Sequence, residues 1–118
     1  MRYRVMNLTR NTPLAEQAAR ADSFLERFKG LMGVKDLPVG HGLLIAPYNS
    51  IHTFFMKIPI DAVFLDASEQ VVGICHAMPP WRMSKLYFGA KSVLELPAGT
   101  AAASQTQRGD RLSFVQNA

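Results

Sequence analysis

Apolar and polar positions change rhythm along this chain of 118 residues. From Arg2 to Leu8 they alternate, with Tyr3, Val5 and Asn7 on one face and Arg4, Met6 and Leu8 on the other. That is the period of an edge or half-buried strand. After Thr12-Pro13 the steps lengthen. Leu14, Ala18, Ala21, Leu25 and Phe28 recur four, three, four and three residues apart, which predicts one apolar stripe of a helix. Thr12 supplies a hydroxyl for the free amides of such a helix, and Pro13 suits its first turn. Ser23 to Glu26 fits a capping box, so a break and restart near Asp22 is the alternative. Gly30 and Gly33 end the helix, with Arg27 and Lys29 in its last turn, where cations are favoured.

Residues 35–42 read as a loop around Asp36, Pro38, Gly40 and Gly42. Beyond it come short β-branched and aromatic runs closed by breakers. They predict strands at Gly42–Ala46, Ser50–Met56, Ile60–Asp66, Gln70–Met78, Ser92–Leu96 and Arg111–Val115. Ala98 to Ser104 has room for a short helix. Pro79-Pro80 must leave the sheet, because neither proline can donate to a ladder. Too few helices follow to cover a parallel sheet. The fold class expected is mainly β: a small antiparallel β-sandwich or barrel-like domain with one N-terminal helical segment. The alternative is α+β.

Composition changes this picture little. Hydrophobic residues make up 48% and charged residues 19%, a globular balance. One domain over residues 1–118 is expected, without repeats or linkers. The single cysteine, Cys75, excludes an intrachain disulfide. Charges interrupt the first thirty residues too often for a secretory signal, and no apolar run is long enough to span a bilayer. The expected location is cytoplasmic, with no membrane partner. The net charge of +4 is unevenly spread. Residues 1–39 and 79–118 each carry +3, whereas residues 40–78 carry −2 and hold His41, His52, His76 and Cys75. A basic excess at the two ends speaks for solubility more than for a nucleic-acid partner.

Candidate chemistry concentrates in residues 50–66. If residues 57–60 form a turn, Met56 faces Asp61, Phe54 faces Val63 and His52 faces Leu65. His52, Phe54, Met56, Asp61, Val63 and Leu65 then share one face. A histidine and a carboxylate among apolar side chains make a pocket wall. The expected ligand-binding residues are Arg27, Met32, His52, Met56, Lys57, Asp61 and Glu95, with Trp81 and Arg82 on the rim. Each also has a plainer reading. His52 suits a rim histidine bonded to backbone, Asp61 a carboxylate accepting N–H bonds, Lys57 a solvated lysine, and Met32 a core side chain. Arg27 suits a helix end, the alternative being a pair with Asp61 or Glu95 across the pocket. Trp81 and Arg82 either stack on a ligand or fasten their loop. His52 as general base with Asp61 is the catalytic alternative, although the simple register leaves the two roughly 13 Å apart. No metal motif, phosphate loop or cofactor signature is present, so neither metal nor cofactor is expected.

Arg27-Phe28-Lys29-Gly30-Leu31-Met32, Gly42-Leu43-Leu44-Ile45, Ile51 through Asp66, Val93 through Gly99, and Gly109-Asp110 together resemble the family catalogued as domain of unknown function 192. The resemblance covers about residues 10–115. It implies a small, mainly β domain without an established activity. Many members carry an aromatic-Trp-Met-Lys-Asn-Thr stretch. Here His52-Thr53-Phe54-Phe55-Met56-Lys57-Ile58-Pro59 stands instead, similar to the subgroup with Ile-His-Thr-Phe. Many members also carry an N-terminal signal or anchor; none is expected here, so that location is not carried over.

The expectation for function is a domain that binds a small molecule or a peptide segment. A small hydrolase using His52 and Asp61 is the alternative, and nucleic-acid binding ranks below both.

Overall fold

The computed structural model describes residues 2–21 and 30–117. Among these, seven strands form a single mixed sheet, curled into a half-barrel. The strands are β1 (Arg2–Asn7), β2 (Thr12–Arg20), β3 (His41–Ile45), β4 (Ile60–Leu65), β5 (Val71–Met78), β6 (Ser92–Pro97) and β7 (Leu112–Gln116). One short helix, α1 (Thr100–Ala103), follows β6. The order across the sheet is β5-β4-β6-β3-β2-β1-β7. Every neighbouring pair is antiparallel except β2 and β3. The expected mainly β class is therefore the observed one.

β4 is buried at all six positions, as a strand covered on both faces must be. Val63 and Leu65 join Val5, Leu14, Leu94, Leu96 and Leu112 on one face. Ala62 and Phe64 join Val93 on the other. Residues 109–112 close one end. Val71 donates its N–H to the Asp110 carbonyl at 2.7 Å, Leu112 donates to the Glu69 carbonyl at 3.0 Å, and Gln70 bridges Arg111. The two outermost strands of the sheet thus meet at their first residues.

Two expectations are corrected. Residues 14–20 are strand, not helix. Ala15 pairs with Val5 and Pro13 with Met6, so Leu14 bulges, and a second shift lies between Val5 and Tyr3. Two extra residues on β2 stretch its buried spacing toward that of a helix. Thr12 caps no helix; its hydroxyl donates to the Ser104 carbonyl at 2.6 Å. The rest of the expected helix, residues 22–29, lies outside the described residues. Nor do residues 50–56 form a strand paired with β4. The partners of β4 are β5 and β6, and the 50–56 segment holds only a bridge between His52 and Met83. Among the described residues, no helix is long and apolar enough to cross a membrane.

Candidate functional site

The sheet decides which side chains can meet. Across β4 and β6, Ala62 pairs with Glu95 and Asp61 with Leu96. Cross-strand partners project to the same side, and successive residues to opposite sides. Glu95 therefore belongs to the face of Ala62, Phe64 and Val93. Asp61 belongs to the face of Val63 and Leu65.

On the Glu95 face lies a cavity of about 250 Å3. Its apolar wall is Leu31, Met32, Ile45, Ile51 and Met56, and its polar groups come from Glu95, His52, Ser50 and Tyr48. Gly30 closes one side. A Cβ placed there would stand 3.7 Å from Glu95 Oε1, so that oxygen faces the Gly30 backbone. Glu95 is only 3% exposed, and Oε1 has no hydrogen-bond partner among the described residues. Burial pushes the Glu95 carboxyl up to about 8. A buried carboxyl without a partner holds its proton, because the charged form loses its solvation. Near neutral pH Glu95 therefore offers both a donor and an acceptor.

His52 sits at the exposed mouth. The Phe54 N–H donates to His52 Nδ1 at 3.2 Å, and the two rings stack at 5.0 Å. With Nδ1 accepting, the neutral ring carries its proton on Nε2 and presents a donor. Among the described residues no hydrogen bond joins His52 to Ser50 or to a carboxylate, so no base-and-orienter pair is assembled.

Of the expected site residues, Met32, His52, Met56 and Glu95 line this cavity together. Asp61 does not. It is fully buried, and its carboxylate accepts from the N–H groups of Ala77 (2.8 Å), Gly99 (3.1 Å) and Ala101 (2.8 Å). It ties the end of β5 and the start of α1 to β4. The His52 and Asp61 pair of the catalytic alternative is thus not brought together. Lys57 is an exposed loop residue outside the cavity lining. Trp81 packs against Phe55 at 4.7 Å and Phe54 at 5.9 Å, and Arg82 is exposed beside it. Arg27 lies outside the described residues. The expected set did not include Tyr48, Ser50, Gly30, Leu31, Ile45 and Ile51, which also line the cavity. The Ala46-Pro47 step was the available signal for the first two, since it turns the chain off β3 toward the cavity.

A larger trough of about 570 Å3 runs between β2 and α1, past Thr12, Val39 and Ala98. It holds no buried polar side-chain atom lacking a partner among the described residues. That distinguishes it from the Glu95 cavity.

The family model for DUF192, described as Uncharacterized ACR, matches residues 6–114. The chain belongs to this family. Relatives of the DUF192 chain include a UPF0127 protein of Thermococcus kodakarensis, 34% identical over 117 residues, covering 94% of this chain and 73% of that protein. Another, from Pyrococcus furiosus, is 31% identical over 115 residues and covers 93% and 97%. Two solved structures share the fold. A protein of unknown function from Novosphingobium aromaticivorans has a TM-score of 0.81 at 21% identity, covering 96% of this chain and 84% of that one. A candidate transcription regulator from Sinorhizobium meliloti has 0.79 at 22% identity, covering 96% and 92%. At such identity the likeness concerns the DUF192 fold alone. Within it, residues 51–66 divide their work: Ile51, His52 and Met56 line the cavity, while Asp61 holds the sheet to its connections.

Proposed function

We propose that this domain binds a small molecule in the Glu95 cavity. The ligand is largely apolar, with one polar end that hydrogen-bonds Glu95. The supporting observation is Glu95 Oε1, which has no hydrogen-bond partner among the described residues, on the wall of a mostly apolar concavity. An unsatisfied buried oxygen is costly, and a ligand that satisfies it recovers that cost. Ser50, Tyr48 and His52 supply further polar contacts at the mouth.

The experiment is a thermal-shift screen against small aliphatic and aryl alcohols, amides and amines. A compound that binds the native state raises the melting temperature. Met32→Trp, which fills the cavity, is expected to abolish the shift, and Glu95→Gln to change the ranking of polar ends. No stabilising compound, or hits unaffected by Met32→Trp, overturns the proposal. Arg27→Ala is the control for an internal partner. Compounds that bind only after that substitution show that the chain itself satisfies Glu95, and the proposal falls.

A further inference from the structure

Two loops, residues 47–59 and 79–90, are fastened to one another. Thr53 is the clasp. Its N–H donates to the Arg82 carbonyl at 2.8 Å, its carbonyl accepts from Trp81 at 2.9 Å, and its hydroxyl donates to the Pro79 carbonyl at 2.6 Å. Ser84 donates to the Ile51 carbonyl and Tyr87 to that of Asn49, both at 2.8 Å. The Tyr87 ring stacks on Phe64 at 4.0 Å. This is an ordered surface, not a loose one.

Five large apolar side chains of these two loops are more than half exposed, and two of them, Phe55 and Trp81, touch, their ring centres 4.7 Å apart. Phe88 is 91% and Met83 72% exposed, and Phe55, Trp81 and Leu86 are each more than half exposed. Exposed apolar side chains are ordinarily scattered singly, and clusters of them mark contact surfaces. Phe55 and Trp81 also hold left-handed backbones, at φ 64 and φ 65, a conformation that bulky residues disfavour. The fold accepts that cost and still leaves both rings outside. Neither loop contains an aspartate or glutamate, whereas Lys57, Arg82 and Lys85 are interleaved with the apolar residues. None of these three makes an ion pair among the described residues.

We propose that this face docks onto an anionic lipid surface. Phe55, Trp81, Met83, Leu86 and Phe88 enter the boundary between headgroups and acyl chains, and Lys57, Arg82 and Lys85 meet the lipid phosphates. Aliphatic Met83 and Leu86 favour hydrocarbon over nucleic-acid bases, since they offer no stacking face. Phe54 and Phe55 each pack on Trp81 in a tilted pair, which occupies part of the ring surface that bases would need. The absence of acidic groups fits a negatively charged partner. The expectation of no membrane partner rested on the lack of a spanning segment, and surface docking needs none.

Trp81 is the only tryptophan and therefore reports on the face directly. The test mixes the protein with phosphatidylcholine vesicles with and without phosphatidylglycerol, reading Trp81 emission and co-sedimentation. The expected result is a blue shift and sedimentation only with phosphatidylglycerol, both weakened by salt. Lys85→Gln and Arg82→Gln should each reduce partitioning about fivefold, and Phe88→Ser should remove most of the blue shift. These side chains are exposed, so unchanged melting temperatures serve as the folding control. No binding to anionic vesicles overturns the proposal, as does binding that all three variants retain. A Trp81 response to oligothymidylate but not to vesicles also overturns it, in favour of a single-stranded nucleic-acid surface.

Discussion

Asp61 and Glu95 sit on adjacent strands but face opposite sides of the same sheet. Glu95 pairs with Ala62, the residue after Asp61, and that one-residue offset separates their functions. Asp61 is saturated with three backbone donors, whereas Glu95 Oε1 has none among the described residues.

Asp61→Ala should destabilise the fold severely. It orphans three N–H groups, two of them at Gly99 and Ala101 around the start of α1. The Ala101 bond is buried and the other two are part-buried; an unsatisfied buried donor costs about 1–3 kcal/mol, and one that water can reach costs less. A loss of about 2–4 kcal/mol in urea unfolding is expected. A loss below about 1 kcal/mol would contradict the role assigned to this carboxylate.

Glu95 should make stability fall with rising pH. Its ordinary value is 4.5, and burial raises it to about 8. Below 4.5 both folded and unfolded chains hold the proton. Between 4.5 and about 8 the unfolded chain has lost it while the folded chain retains it, so stability declines across that window and then levels off. Glu95→Gln should flatten the decline and be more stable than the wild type above that window. Urea midpoints compared at the two ends of the window check this.

Asp110 should act in the opposite direction. Burial pushes its carboxyl upward, but hydrogen bonds from Asn7, the Gln107 N–H and Arg10 outweigh it and hold the value below the ordinary range. Its stabilisation is present above the ordinary carboxylate range and is lost as pH falls through the folded value. Asn7→Ala removes the buried donor at 2.9 Å. It should cost about 2 kcal/mol at neutral pH and move acid unfolding to a higher pH. An unchanged acid midpoint in circular dichroism would refute the assignment.

Gly73→Ala should loosen the second loop. A Cβ there would lie 2.1 Å from the Tyr87 ring, so the ring must move off Phe64. A loss of about 1–3 kcal/mol is expected. The Tyr87 hydroxyl, held up at about 12 by burial and by Cys75, should titrate at lower pH in the variant. Ultraviolet titration of tyrosinate measures it.

The strands at 41–45, 60–65, 71–78, 92–97 and 112–116 were legible because compact β-branched runs ended at clear breakers. β2 was not, because its two bulges place Leu14, Ala18 and Ala21 at helical spacing. At the cavity, Met32, His52, Met56 and Glu95 were among the expected residues and line one concavity, but the hairpin that was to bring His52 and Met56 beside Asp61 is not formed. Asp61 was misplaced, because its true partners are sixteen to forty residues away. Local alternation cannot reveal that β6, rather than residues 50–56, lies beside β4.

The meeting of the β5 and β7 ends at residues 69–71 and 109–112 bears on how the protein survives in a crowded solution. An open sheet exposes two rows of unused peptide groups, each a template for a strand of another molecule. Here the two ends of the sheet use up each other's first groups, so a growing stack finds no flush edge from which to begin. Substitutions that pry Gln70 from Arg111 would be felt first as a tendency to self-associate, before any loss of melting temperature.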